Sequence, residues 1–127
     1  MVIKVLKNIS KLLGFGTALL YTGFCLSGEM PTGASIQSGD VSISGINKDH
    51  LIIDQSTNKS IINWNSFSIH KKGQVDFNMP SSSSSSLNRV TGSTPSSIAG
   101  KLNSNGKVLI INPNGVVITK DGVVKTG

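Results

Sequence analysis

Lys107-Val108-Leu109-Ile110-Ile111-Asn112-Pro113-Asn114-Gly115-Val116-Val117-Ile118 sets two apolar runs on either side of Asn-Pro-Asn-Gly. Short runs rich in Val and Ile suit strands. Pro113 holds φ near the value wanted at the second position of a β-turn and drives Asn112 into extended backbone. Asn114 and Gly115 tolerate positive φ, and the Asn112 side chain is able to bond backbone amides just beyond itself. The stretch predicts strand, turn, strand.

The same punctuation continues outward. Downstream, Lys120-Asp121-Gly122 forms a tight turn into Val123-Val124. Upstream, Asn103 to Gly106 is a turn, Ile98 to Leu102 is a strand or one helical turn, and Thr91 to Ser96 is another turn. Leu87-Asn88-Arg89-Val90 is ordered, whereas Ser81 to Ser86 has no apolar content and reads as an exposed loop. Val75, Phe77 and Met79 alternate with polar residues until Pro80 ends the strand. In Ile61-Ile62-Asn63-Trp64-Asn65-Ser66-Phe67-Ser68-Ile69 the alternation changes phase at Asn65-Ser66, which predicts a bulge or corner. Asn63 and Asn65 read as solvated or as buried and bonded to backbone; stacked coils favour the second. Leu51 to Ile53 and the alternating Val41 and Ile43 complete the series. Short strands about every ten residues define an all-β fold. That spacing does not separate a sandwich from a β-helix.

Composition narrows the function. Three of the twelve basic residues, Lys4, Lys7 and Lys11, lie in the first eleven positions. From Pro31 onward nine Lys or Arg face five Asp, a surplus of four, and Lys71-Lys72 is the one adjacent pair. Nucleic-acid surfaces cluster positive charge beside aromatics, so no nucleic-acid partner is expected. Cys25 is the single cysteine, which leaves no disulfide framework and no thiolate metal site beyond it. His50 and His70 read as solvated loop histidines. Asp49 and Asp54 bracket Leu51 to Ile53, but glycoside chemistry needs a carboxylate pair across a cleft and nothing in the sequence builds one. Ser81 to Ser86 lacks a nucleophile elbow. No enzyme activity, metal or cofactor is expected, and Trp64 and Phe67 read as core.

Residues 1–28 have a basic start, an apolar run from Leu12 to Leu26, and small residues Ser27 and Gly28. This order is that of a helical secretory signal peptide, with an apolar run short of the roughly 20 residues of a membrane span. A retained anchor and lipidation at Cys25 are the competing readings; Phe24 stands where lipoprotein processing wants a small residue. Export by the Sec translocase and removal by signal peptidase follow from the preferred one.

Taken in order, Met30-Pro-Thr-Gly33, Ile61 to Phe67, Val75-Asp-Phe77, Leu87-Asn88-Arg89-Val90-Thr91-Gly92, Ile98 to Leu102 and Gly106 to Val117 resemble the N-terminal two-partner secretion domain of the filamentous haemagglutinin family. The resemblance runs from about Met30 to the last residue. It implies a right-handed parallel β-helix with capping strands over 29–127. It further implies recognition in the periplasm by the periplasmic domains of a cognate outer-membrane β-barrel transporter, then secretion or display at the cell surface. By the same resemblance, Asn63, Trp64 and Asn65 with Asn112, Pro113, Asn114 and Gly115 form the segments associated with folding and secretion. Leu87, Asn88, Arg89, Val90, Thr91 and Gly92 are a further matched segment. Family domains continue well past the Asn-Pro-Asn-Gly turn, so this chain is expected to be the first, truncated part of one. Any contact with host or bacterial surfaces would then belong to missing downstream regions. Alternatives are a self-contained surface adhesin fragment or a β-helical carbohydrate-active protein.

Overall fold

The computed structural model describes residues 29–127 and the two-residue strand β1 (Lys4–Val5). The signal peptide expected over 1–28 otherwise lies outside the described residues. Eleven further strands follow in chain order: β2 (Ser35–Ser38), β3 (Val41–Asn47), β4 (His50–Gln55), β5 (Lys59–Trp64), β6 (Gln74–Asn78), β7 (Ser85–Val90), β8 (Ser96–Ile98), β9 (Lys101–Ser104), β10 (Lys107–Asn112), β11 (Val116–Ile118) and β12 (Val123–Lys125). No helix occurs among the described residues.

From β4 onward the strands pair in parallel with their equivalents in neighbouring coils. One sheet stacks β5, β7 and β10 in parallel, a second stacks β4, β6, β9 and β12 in parallel, and β8 and β11 form the third. The chain therefore winds as a parallel β-helix with three faces. β4 and β5 belong to the first coil, β6 to β8 to the second, β9 to β11 to the third, and β12 begins a fourth. At the start, β2 lies antiparallel on β5 and β3 antiparallel on β4. These two strands occupy edges that would otherwise present unpaired backbone groups, which is the capping the resemblance implied.

A strand turns alternate residues inward, and the strands here follow that period. From the first sheet Ile62, Trp64, Val90, Val108 and Ile110 point into the core; from the second, Ile53, Val75, Phe77 and Leu102; from the third, Ile98. Rows such as Leu51, Val75, Leu102 and Val124 stack like side chains along the axis. Sparse aromatics suffice because one coil needs to cover only its neighbour. Trp64 and Phe67 meet edge to face with centroids 5.3 Å apart and planes at 78°. Both are core, as expected, and the phase change between them is a corner: β5 ends at Trp64 and the chain bends through Asn65 and Ser66.

Four expectations need correction. Ser81 to Ser86 is not all loop: Ser85 and Ser86 open β7, and Ser84 and Ser86 are fully buried. The Ser60 hydroxyl donates to Gln55 Oε1 at 2.6 Å and lies 3.0 Å from Ser86 Oγ, so small hydroxyls fill the inside of this sheet where their composition reads as solvent-facing. The strand of Val41 and Ile43, which Gly45 is expected to end as a breaker, instead runs past it to Asn47 through a register shift against β4. The stretch from Ile98 to Leu102 is neither one strand nor a helical turn but the end of β8, a bend at Gly100 and the start of β9. The histidines are partnered: His50 Nε2 lies 2.6 Å from Asp76 Oδ2, and His70 Nε2 lies 2.9 Å from Asp49 Oδ1.

The Asp76 carboxylate ties β4 to β6 and β9. Gln74 Nε2 and Asn103 Nδ2 donate to it beside His50. Burial works to raise its pKa, but the bonds from His50, Asn103 and Gln74, with the charge on His50, outweigh burial and hold it below the usual carboxylate range. A depressed folded-state pKa gives stability that is present above the unfolded value of about 3.9 and lost as pH falls through the folded one. Thermal melts between neutral and strongly acid pH should show a drop below about pH 4 that is shallower in Asp76→Asn. Parallel curves for the two proteins would show that Asp76 contributes nothing to acid sensitivity.

Candidate functional site: one corner of the helix

The corner where the β5–β7–β10 sheet turns toward the β8–β11 face carries the three segments named as site candidates. The first coil contributes Asn63, Trp64 and Asn65, the second Leu87 to Gly92, and the third Asn112 to Gly115. A continuous ladder climbs it. Asn65 N–H donates to Thr32 O of the cap at 2.8 Å, Gly92 N–H to Asn65 O at 3.2 Å, and Asn114 Nδ2 to Gly92 O at 2.9 Å. Thr91 N–H donates to Trp64 O at 2.8 Å. Sequence-distant blocks thus become consecutive rungs.

The Asn-Pro-Asn-Gly turn forms as its composition dictates. Gly115 N–H donates to Asn112 O at 3.0 Å, and Asn114 N–H donates to Asn112 Oδ1 at 2.8 Å. Gly115 has φ of +111°, a left-handed conformation that favours glycine. Asn114 does not share it, since no non-glycine residue among those described has positive φ. The turn is not a hairpin: β10 pairs with β7, while β11 continues onto β8, so the chain changes face. Pro113, which has no N–H to lose, sits exposed at the apex.

Asn112 is fully buried. Its Nδ2 donates to Thr94 O and to Ser96 Oγ, both at 3.0 Å, and its Oδ1 also accepts Asn114 Nδ2 at 3.0 Å. One amide therefore closes its own turn and locks it to the coil beneath. The favoured reading of Asn63 and Asn65 as buried amides does not hold: Asn63 is half-buried and Asn65 exposed, and the buried asparagines are Asn112 and Asn88. Asn63 Oδ1 instead accepts Arg89 Nε at 3.0 Å, on the outer face of the paired strands. Asn88 occupies the inside of β7 and accepts Trp64 Nε1 at 2.9 Å. Leu87 and Arg89 face outward, Val90 inward, and Thr91 Oγ1 donates to Trp64 O at 3.2 Å. A Cβ on Gly92 would collide with the Asn65 carbonyl oxygen, so a glycine is what permits this approach.

Thr32, Ser66, Thr94 and Ser96 were not legible as members of this corner. Thr32 and Ser66 join the cap to the first coil through N–H to O at 2.9 Å and hydroxyl to hydroxyl at 2.6 Å. The alternation of Ser84, Ser86, Asn88 and Val90 was the available signal for the buried serines.

A family model for the TPS secretion domain matches residues 27–127. The chain belongs to the TPS secretion domain family. Two curated relatives from Haemophilus influenzae, both named heme/hemopexin-binding protein, are 42% and 44% identical over 79% and 65% of this chain. The aligned parts are 11% and 9% of those relatives, so the chain spans only a small part of their length. The solved HMW1 secretion domain of Haemophilus influenzae superposes with a TM-score of 0.70 at 35% identity, over 74% of this chain and 25% of that one. As a TPS secretion domain the chain belongs to an export module, and the β-helix is the scaffold that presents the corner.

Proposed function

We propose that this domain directs a large exoprotein of the filamentous haemagglutinin type through a cognate outer-membrane β-barrel transporter, without enzymatic chemistry of its own. The transporter's periplasmic domains capture the chain after Sec-dependent export and signal removal, and the coils stack once the chain emerges outside the cell. The observation that carries the mechanism is the ladder through Thr32, Asn65, Gly92 and Asn114. Each rung uses backbone groups of the coil before it, so coils add in order behind the cap. Every stacked coil buries apolar surface, which opposes return into a narrow pore.

In this reading Asn63, Trp64, Asn65 and Leu87 to Gly92 receive the next coil, and Asn112 to Gly115 lock it. Before stacking, the same segments are extended and available to the transporter. The relatives' printed names offer heme or hemopexin as the target of an effector in the protein that carries this domain, although the 42% identity covers only 11% of that relative.

The experiment is an immunoblot with antibody to residues 31–127, comparing cells and medium with the partner transporter present and deleted. A large band in the medium that vanishes on deletion is the expected outcome. A small band that stays with the cells in both strains would refute export by this route.

A further inference from the structure

We infer that Asn88 is a register-determining residue, the group that fixes which residues of the second coil stack on which residues of the first. The parallel sheet β5–β7–β10 has inward rows Ser60–Ser86–Val108 and Ile62–Asn88–Ile110, and its outward partners Ile61, Leu87 and Leu109 lie between them. A one-residue slip would turn every inward side chain outward, so alternation alone forbids it. A two-residue slip preserves alternation. Apolar rows built from Ile, Val and Leu discriminate poorly against it.

The polar groups do discriminate. Asn88 is fully buried and touches three consecutive coils: Oδ1 accepts Trp64 Nε1 at 2.9 Å, Nδ2 lies 3.2 Å from Ser86 Oγ in its own strand, and Nδ2 lies 3.4 Å from Leu109 O in the third. Trp64 is only 2% exposed, so water does not replace Asn88 as the acceptor for its indole N–H. Moving β7 by two residues, at about 3.3 Å each, carries the amide out of reach of that donor. In the slip that sets Val90 in the place of Asn88 the buried donor is unpaired, and in the opposite slip only the shorter Ser86 hydroxyl stands there, so the correct register alone supplies the amide oxygen. This is the use that a single buried asparagine has in coiled coils, where it sets register at a cost in stability. The role concerns the coil stack itself, so it stands or falls separately from export.

Cysteine pairs on the outer face read the register directly, in the full 127-residue chain carrying Cys25→Ser. Ile61 and Leu87 are paired neighbours, with Cα atoms at the roughly 4.8 Å spacing of adjacent strands, inside the range a disulfide bridges. Ile61→Cys with Ser85→Cys, or with Arg89→Cys, is offset by two residues to about 8 Å and is bridged only after a slip. With Asn88 present, oxidation should link the native pair and neither slipped pair. In Asn88→Leu the ratio of slipped to native disulfide should rise about tenfold, the change expected from removing one buried hydrogen bond. Trp64→Phe with Asn88→Leu leaves no orphaned donor and covers the case in which the single variant does not fold. Native linkage alone in either folded variant overturns the inference. So does the loss of every linkage in both, which would make Asn88 a requirement for folding and not for register.

Discussion

Trp64→Ala is expected to destabilise the domain by about 4 kcal/mol, as large a loss as core truncations give. Trp64 is the largest of the fully buried side chains and packs edge to face on Phe67 at the corner itself. Truncation removes that packing, opens a cavity in the first coil and takes the donor from Asn88. The second coil then stacks on a void. For a single domain, a loss of this size is a large fraction of a total stability of roughly 5–15 kcal/mol. Urea unfolding followed by far-ultraviolet circular dichroism measures it. Trp64→Phe keeps a six-membered aromatic ring in the core but loses the pyrrole half of the indole together with its N–H; its midpoint should fall between those of wild type and Trp64→Ala. Equal midpoints for wild type and Trp64→Ala would show that this coil is not part of the cooperative core.

Asn112→Ala is expected to cost about 3 kcal/mol, although the substitution removes few atoms. The side chain makes two donated and two accepted bonds in a site without solvent access. Alanine leaves Thr94 O, Ser96 Oγ and the Asn114 backbone N–H without that partner, and unpaired buried polar groups carry the full cost of desolvation. Asn112→Asp is the informative companion. It retains the acceptor for Asn114 N–H but loses the donor to Thr94 O and would bury a charge. Both variants should therefore lower the unfolding midpoint, whereas Pro113→Ala, at the exposed apex, should shift it little.

Much of this architecture is visible in the sequence because β-strands report their inner face by alternation. Val75, Phe77 and Met79 identify their own strand, and the Asn-Pro-Asn-Gly turn carries its geometry in Pro113 and Gly115. The corner at Asn65 was likewise legible from a phase change. What alternation does not tell is which strand lies beside which, because parallel pairing joins residues one full coil apart and no local spacing encodes that. The resemblance to two-partner secretion domains supplied the β-helix; composition alone left the sandwich open. Polar residues inside the coils were the other blind spot. Ser84 and Ser86 read as loop residues, and nothing marked Asn88 as an inward side chain, until Asn58, Ser60 and Trp64 are placed opposite them. Conversely, Asn63 and Asn65 looked like inner-face amides, but the backbone phase points one at Arg89 and leaves the other in solvent.

In the proposed mechanism the corner ladder connects stability to function, and Asn112 is where that connection is most exposed to test. The decisive measurement is the amount of exoprotein in the medium for wild type and Asn112→Ala, with the transporter present in both and total synthesis matched. If ordered stacking of coils drives the chain outward, the variant should be depleted from the medium and retained in cells, in step with its loss of folding stability. A variant that is clearly destabilised in urea yet appears outside the cell at the wild-type level would contradict that coupling, and with it the assignment of this corner as the working part of the domain.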